Sequence, residues 1–95
     1  MNNYLPKPKD TSDVVIPAEL QALGEDIARQ VHEVWAAGRV SQGWKYGPVR
    51  DDASRQTPCM VPYDDLAEEE RQYDRDTALA TIKYILSQGF EIRKK

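Results

Sequence analysis

Along the first half of the chain, Leu20, Leu23, Ile27, Val31 and Val34 recur three or four positions apart, with mostly polar or small residues between them. That period puts all five on one side of an α-helix and predicts a helix over about 18–41. Pro17 suits the opening turn, where its missing N–H costs nothing, and Glu19 complements the positive end of the helix dipole. His32, Trp35 and Arg39 fall on one flank of the apolar stripe, each three or four residues from the next, and so form a continuous ridge. Ahead of this helix, Val14-Val15-Ile16 is a β-branched run that predicts a short strand. Residues 1–12, which contain Pro6 and Pro8, predict an extended arm.

The periodicity is lost over residues 42–63, where Gly43, Gly47, Pro48, Pro58 and Pro62 predict a long structured loop. A loop of that length in a compact domain is usually functional or packed upon itself. Helical spacing returns in Ala78, Leu79, Ile82, Ile85 and Leu86, predicting a second helix that starts between Asp65 and Asp74 and stops at Gly89 as its C′ residue. Tyr73, Thr77 and Tyr84 lie on another face of that helix, which is expected to cover the long loop, and Tyr63 is expected to help tie the two together. Phe90-Glu91-Ile92 alternates as a short terminal strand before a solvated Arg93-Lys94-Lys95 tail. The expected architecture is one α+β domain over 1–95, mainly helical, with two long antiparallel helices, short strands and a long packed loop.

Composition narrows the function. A chain of 95 residues, 40% apolar and 31% charged, suits one soluble domain with a modest core. No apolar run approaches the ~20 residues that span a bilayer, and the N-terminus lacks a signal-peptide pattern. A cytoplasmic protein that forms no pore is therefore expected, and the single Cys59, which excludes an internal disulfide, fits a reducing compartment. The net charge of −3 argues against a nucleic-acid partner. The charge is uneven, however: residues 64–76 hold seven acids against Arg71 and Arg75, while 38–57 holds Arg39, Lys45, Arg50 and Arg55 against Asp51 and Asp52. A locally basic loop on an acidic chain suits capture of a small anion.

Trp35, Trp44 and Tyr46 are candidates to clamp a planar ring by stacking, and the planar forks of Arg39 and Arg50 are candidates to hold a phosphate or carboxylate. The same residues also read as core filling, with Arg50 paired to Asp51 or Asp52 and Arg39 to Asp74 or to loop carbonyls. Asp51-Asp52 is the nearest approach to an acid pair, but neighbours on an extended chain point opposite ways, and a hard metal needs several more converging oxygens. His32 has no second histidine or cysteine to make a zinc site and reads as a hydrogen-bonded helix residue facing the 43–47 loop. Cys59 reads as a small buried hydrophobe. With no nucleophile–base pair, metal cluster or cofactor to be named, the expectation is a non-catalytic module that binds a small anionic ligand, most plausibly a nucleotide or a derivative. The alternative is a protein-interaction or scaffold module whose aromatics are purely structural.

Much of the chain carries a rarer pattern. It includes Asn3-Tyr4-Leu5-Pro6-Lys7-Pro8, Pro17-Ala18-Glu19-Leu20, then His32, Trp35, Arg39, Gly43-Trp44, Tyr46-Gly47-Pro48 and Arg50-Asp51-Asp52. Val61-Pro62-Tyr63, Tyr73-Asp74-Arg75 and Thr77-Ala78 continue it. In this order the residues resemble the ryanodine receptor repeat, the RyR domain, a soluble module of calcium-release channels that also occurs in bacterial proteins. The resemblance implies a compact helical module, an adenine nucleotide held beside Trp35, and, since such repeats occur in tandem, pairing with a second copy or another protein. Thr57 departs from the pattern, standing where the family usually has histidine, so no role of that histidine is carried over.

Overall fold

The structure, a computed structural model, describes residues 3–95; the first two residues of the expected arm lie outside the described residues. Three helices and a two-stranded sheet follow one another: α1 (Ala18–Gln21), α2 (Gly24–Ser41), β1 (Lys45–Tyr46), β2 (Gln56–Thr57) and α3 (Glu68–Ser87), with a 3-10 turn at Tyr63–Asp65 before α3. The architecture is α+β and mainly helical. Asn3–Asp10 is exposed and without regular structure.

The helix expected over 18–41 is interrupted. Leu23 N bonds Leu20 O at 3.0 Å, a tighter pattern than the α-helix, before normal bonding resumes from Ile27 N to Leu23 O at 2.8 Å. The break precedes Gly24, a poor helix former, which is buried where a longer side chain would meet Leu79 of α3. Small residues let α2 and α3 approach closely: Gly24, Ala28 and Ala78 are buried between them. Glu25 pairs with Arg75 at 2.8 Å, and Arg29 with Asp64 at 3.0 Å, so contacts move back toward the start of α3 as α2 advances. α3 starts at Glu68, inside the expected window, and carries Glu68, Glu69 and Glu70 where the dipole favours acids. Gly89, at φ +90°, ends it as expected.

Two expected strands are absent among the described residues. Val14–Ile16 and Phe90–Ile92 have β propensity but no sheet edge to pair with, and Val14 N instead closes a turn on Thr11 O at 3.0 Å. The actual strands lie inside the expected loop. β1 and β2 pair in parallel, Lys45 beside Gln56 and Tyr46 beside Thr57, and Gln56 also forms an antiparallel bridge with Asp51. A parallel pair usually needs a crossover of a dozen or more residues. Here residues 47–55 suffice, because Arg55 adopts a left-handed φ of +55° and Gly47 leaves room for the Gln56 side chain over it.

The core differs from the apolar stripes. Its centre is Ala28, Tyr63 and Leu66, with Cys59 and Val61 packed against them, so Cys59 is half-buried at the core's edge. Leu23, Val31 and Val34 of the expected α2 stripe are exposed, Val34 by 62%. Tyr73 and Tyr84 are exposed too; Tyr63, 1% exposed, packs against Ala28 and His32 of α2 and against Leu66.

Candidate functional site

The site begins with the way α2 ends. Gly43 takes φ +88°, which lets its N–H reach Val40 O at 3.0 Å while Trp44 N–H reaches back to Arg39 O, also at 3.0 Å. This paired closure is the Schellman motif, which brings the side chain two residues beyond the helix cap onto the last turn. Here that side chain is Trp44, and it lands on Arg39: the guanidinium carbon is 5.0 Å from the Trp44 ring centroid. The Arg55 guanidinium donates to Gln42 O and so holds the same helix end from the other side.

From this junction a ladder extends both ways. Arg39 also lies 6.0 Å from the Trp35 ring, and Trp35 stacks on His32 at 5.5 Å with the planes 24° apart. His32 leans on Tyr63 at 6.3 Å, and Arg29 covers the Tyr63 ring at 5.0 Å. In the other direction, Arg50 lies 5.4 Å from the Trp44 ring. The order is Arg29, Tyr63, His32, Trp35, Arg39, Trp44, Arg50. Each cation–aromatic step is worth about 0.5–1 kcal/mol at an exposed site and more where water is excluded.

Burial falls along the ladder. Tyr63 and His32 are buried, Trp35, Arg39 and Trp44 are half-buried, and Arg50 is exposed. His32 Nε2 is 2.7 Å from Val61 O, which fixes the ring from the core side. The Tyr63 hydroxyl is buried beside Glu25 without a hydrogen bond of normal geometry; burial, then the neighbouring Glu25 carboxylate, hold its phenol above the ordinary range. At the exposed end, Arg50 Nε donates to Asp52 Oδ1 at 2.8 Å. That bond holds the Asp52 carboxyl below its usual range, and the Arg50 side chain stays 60% exposed. Arg39 has only a long bond from Nη1 to Gln42 Oε1, 3.3 Å, and among the described residues it makes no ion pair.

The structure therefore brings four of the five candidates together: Trp35, Arg39, Trp44 and Arg50. Tyr46 is not among them; it sits on β1, 55% exposed, beside Thr57. The two tryptophans do not face each other across an open slot, because the Arg39 guanidinium stands between them. Arg50 pairs with Asp52 as the structural reading expected, whereas Arg39 meets Gln42 and not Asp74. Asp51 has its own use, accepting Ala53 N–H at 3.1 Å to shape the turn. His32 contacts Val61 and not the 43–47 loop. Thr57 is buried, its Oγ1 accepting Cys59 N–H at 3.2 Å.

Arg29 and Tyr63 were not among the candidates. Arg29 was detectable, since it stands three residues before His32 and continues the His32–Trp35–Arg39 ridge. Tyr63 joins the ladder from another element, and local spacing carries no sign of that.

Compared with known protein families, the chain matches the family model described as RyR domain over residues 4–94.

Proposed function

This chain belongs to the RyR domain family, and on that premise we propose that it acts by binding, not by catalysis, and that its ligand is a small anion carrying a planar ring, most plausibly a nucleotide or a derivative. The observation that carries this reading is Arg39, a half-buried cation that makes no ion pair among the described residues, placed between two half-buried indoles. Its distances to both rings fall within the ~4.5–7 Å that a stacked aromatic would occupy. Arg39 is in that sense a placeholder. A ring entering between Trp35 and Trp44 displaces the guanidinium outward, where Arg39 and the terminal nitrogens of Arg50 grip the phosphates by charge-assisted forks. Arg39 exchanges its two ring contacts for an ionic one, which offsets part of the cost of opening the slot.

The alternative is a scaffold whose ladder is filled by its own side chains and complete without a ligand. It draws support from two surface concavities, neither of which is lined by Trp35 or Trp44.

Titration of adenine nucleotides and cyclic dinucleotides against tryptophan emission separates the two. Saturable change that is lost in Trp35→Phe or Trp44→Phe, and at least tenfold weaker in Arg50→Gln, supports ligand capture. A flat response across the panel from folded protein overturns it in favour of the scaffold.

A further inference from the structure

The exposed end of the ladder carries a carboxylate that the turn around it does not use. Residues 51–56 close that turn: Asp51 and Gln56 exchange backbone bonds of 2.9 Å, and Arg55 N–H reaches Asp52 O at 3.3 Å. The Asp51 side chain serves the turn as well, by accepting Ala53 N–H. The Asp52 side chain does not. Its one hydrogen-bond partner among the described residues is Arg50 Nε, at 2.8 Å. Both side chains are well exposed, Arg50 by 60% and Asp52 by 73%, and a pair so exposed adds little to folding.

Its position is what matters. The Arg50 guanidinium lies 5.4 Å from the Trp44 ring and that of Arg39 lies 5.0 Å from the same ring, so two cations gather on one indole. Asp52 stands in their joint field. Its carboxyl is held down first by the bond from Arg50, then by that charge and, more weakly, by the charge of Arg39. No other carboxylate among the described residues forms an ion pair with either cation. A guanidinium offers one donor fork at its end and another along its side, and the side fork is built on Nε. Asp52 takes Nε, so the chain's own acid fills that fork.

We propose that Asp52 is an internal competitor for the anionic group of the ligand: it occupies the side of Arg50 in the free chain, and a phosphate must displace it to engage both forks. This regulation rests on the ligand-binding reading of the ladder and belongs to the same site. The displaced carboxylate moves into water without disturbing the turn, which is held by the Asp52 backbone carbonyl and by Asp51. Until then it offsets part of the repulsion between two cations drawn to one indole. The chain therefore binds anions less tightly than its cations alone allow. A phosphate, with more charge and more acceptor oxygens than a carboxylate, is the better displacer.

The test titrates adenosine monophosphate and, separately, inorganic pyrophosphate as a ring-free probe into the full chain, with tryptophan emission as the readout. Asp52→Asn keeps the shape and removes the charge, and is expected to bind about three- to tenfold more tightly than the wild type. Asp51→Asn removes an equal charge from the neighbour that does not pair with Arg50, and keeps an oxygen for Ala53 N–H; a change below about twofold is expected. In an Arg50→Gln background, Asp52→Asn is expected to gain less than about twofold, because the two residues act through each other. Saturable binding in Asp52→Asn alone also supports the proposal, the wild-type site then being masked outright. Saturable binding of either probe to the wild type, with Asp52→Asn no tighter or Asp51→Asn equally tightened, overturns the internal competition and leaves the ligand reading standing. A flat response to both probes in folded wild type and folded Asp52→Asn alike overturns the ligand reading and this proposal with it.

Discussion

Replacing Gly43 by alanine isolates the joint on which the ladder depends. The residue has φ +88°, a conformation that puts an L-residue's Cβ against its own backbone at a cost of about 1–2 kcal/mol. The added carbon itself meets little resistance. Its nearest neighbour is Nη1 of Arg55 at 3.4 Å, the far end of a flexible side chain. The cost is therefore that of the backbone. Against a total stability of roughly 5–14 kcal/mol for a domain of this length, a loss of that size lowers the melting temperature by about 5–15 °C. Gly38 supplies the control. It lies in the exposed interior of α2, where an added Cβ meets nothing within 4 Å, so Gly38→Ala is expected to stabilise by about 0.5–1 kcal/mol. Thermal and urea unfolding followed at 222 nm measure both, and near-ultraviolet circular dichroism follows the indoles. The same chemical change must act with opposite sign at two positions five residues apart. If Gly43→Ala proves neutral, or if both variants move the same way, the helix closure does not hold Trp44 in the manner described.

Three further outcomes follow from the geometry. Gly47→Ala places a Cβ 2.6 Å from the Gln56 Cβ, so the β1–β2 pair must open; a loss of about 1–3 kcal/mol, with faster amide exchange at Gly47 and Lys45, is expected. His32→Ala removes the bond to Val61 O and the stack under Trp35, costing about 1–3 kcal/mol, and an unchanged tryptophan emission maximum in that variant contradicts the stack. Glu25 and Glu68 are held below their ordinary value of 4.5 chiefly by hydrogen bonds from Arg75. Depressed carboxyl values mean that stability is fully present above about pH 4.5 and is lost as pH falls through the lower folded-state values. Urea midpoints between pH 2.5 and 6 are therefore expected to fall less steeply with acid in Arg75→Gln than in the wild type.

Both long helices were legible because their apolar residues recur at the helical period, and Gly89 marked one end correctly. Their packing faces were not. The buried side of α2 is Gly24, Ala28 and His32, residues with little hydrophobic signal, while Leu23, Val31 and Val34 carry the signal and remain exposed. Close approach between helices selects small residues, and smallness is what hydropathy counts as silence. The strands failed for a different reason. Val14–Ile16 has the right residues but no partner, whereas β1 and β2 are two residues each, too short for alternation to register. Of the site, the His32–Trp35–Arg39 ridge was written in local spacing. The insertion of Arg39 between the indoles, and the entry of Tyr63 from beyond the strands, arise only when distant segments are folded together.

The helix closure at Gly43 also makes the ladder a matter of local opening. The N–H groups of Gly43 and Trp44 hold the carbonyls of Val40 and Arg39, so fraying of the last turn of α2 releases Trp44 from Arg39 with the α2–α3 core still intact. The fraction of molecules with an unbroken ladder is then set by a helix-end equilibrium far smaller than the global folding energy. By linkage, whatever clamps Arg50 at the exposed end must slow hydrogen exchange at the Gly43 and Trp44 amides to the same degree that it favours the closed turn.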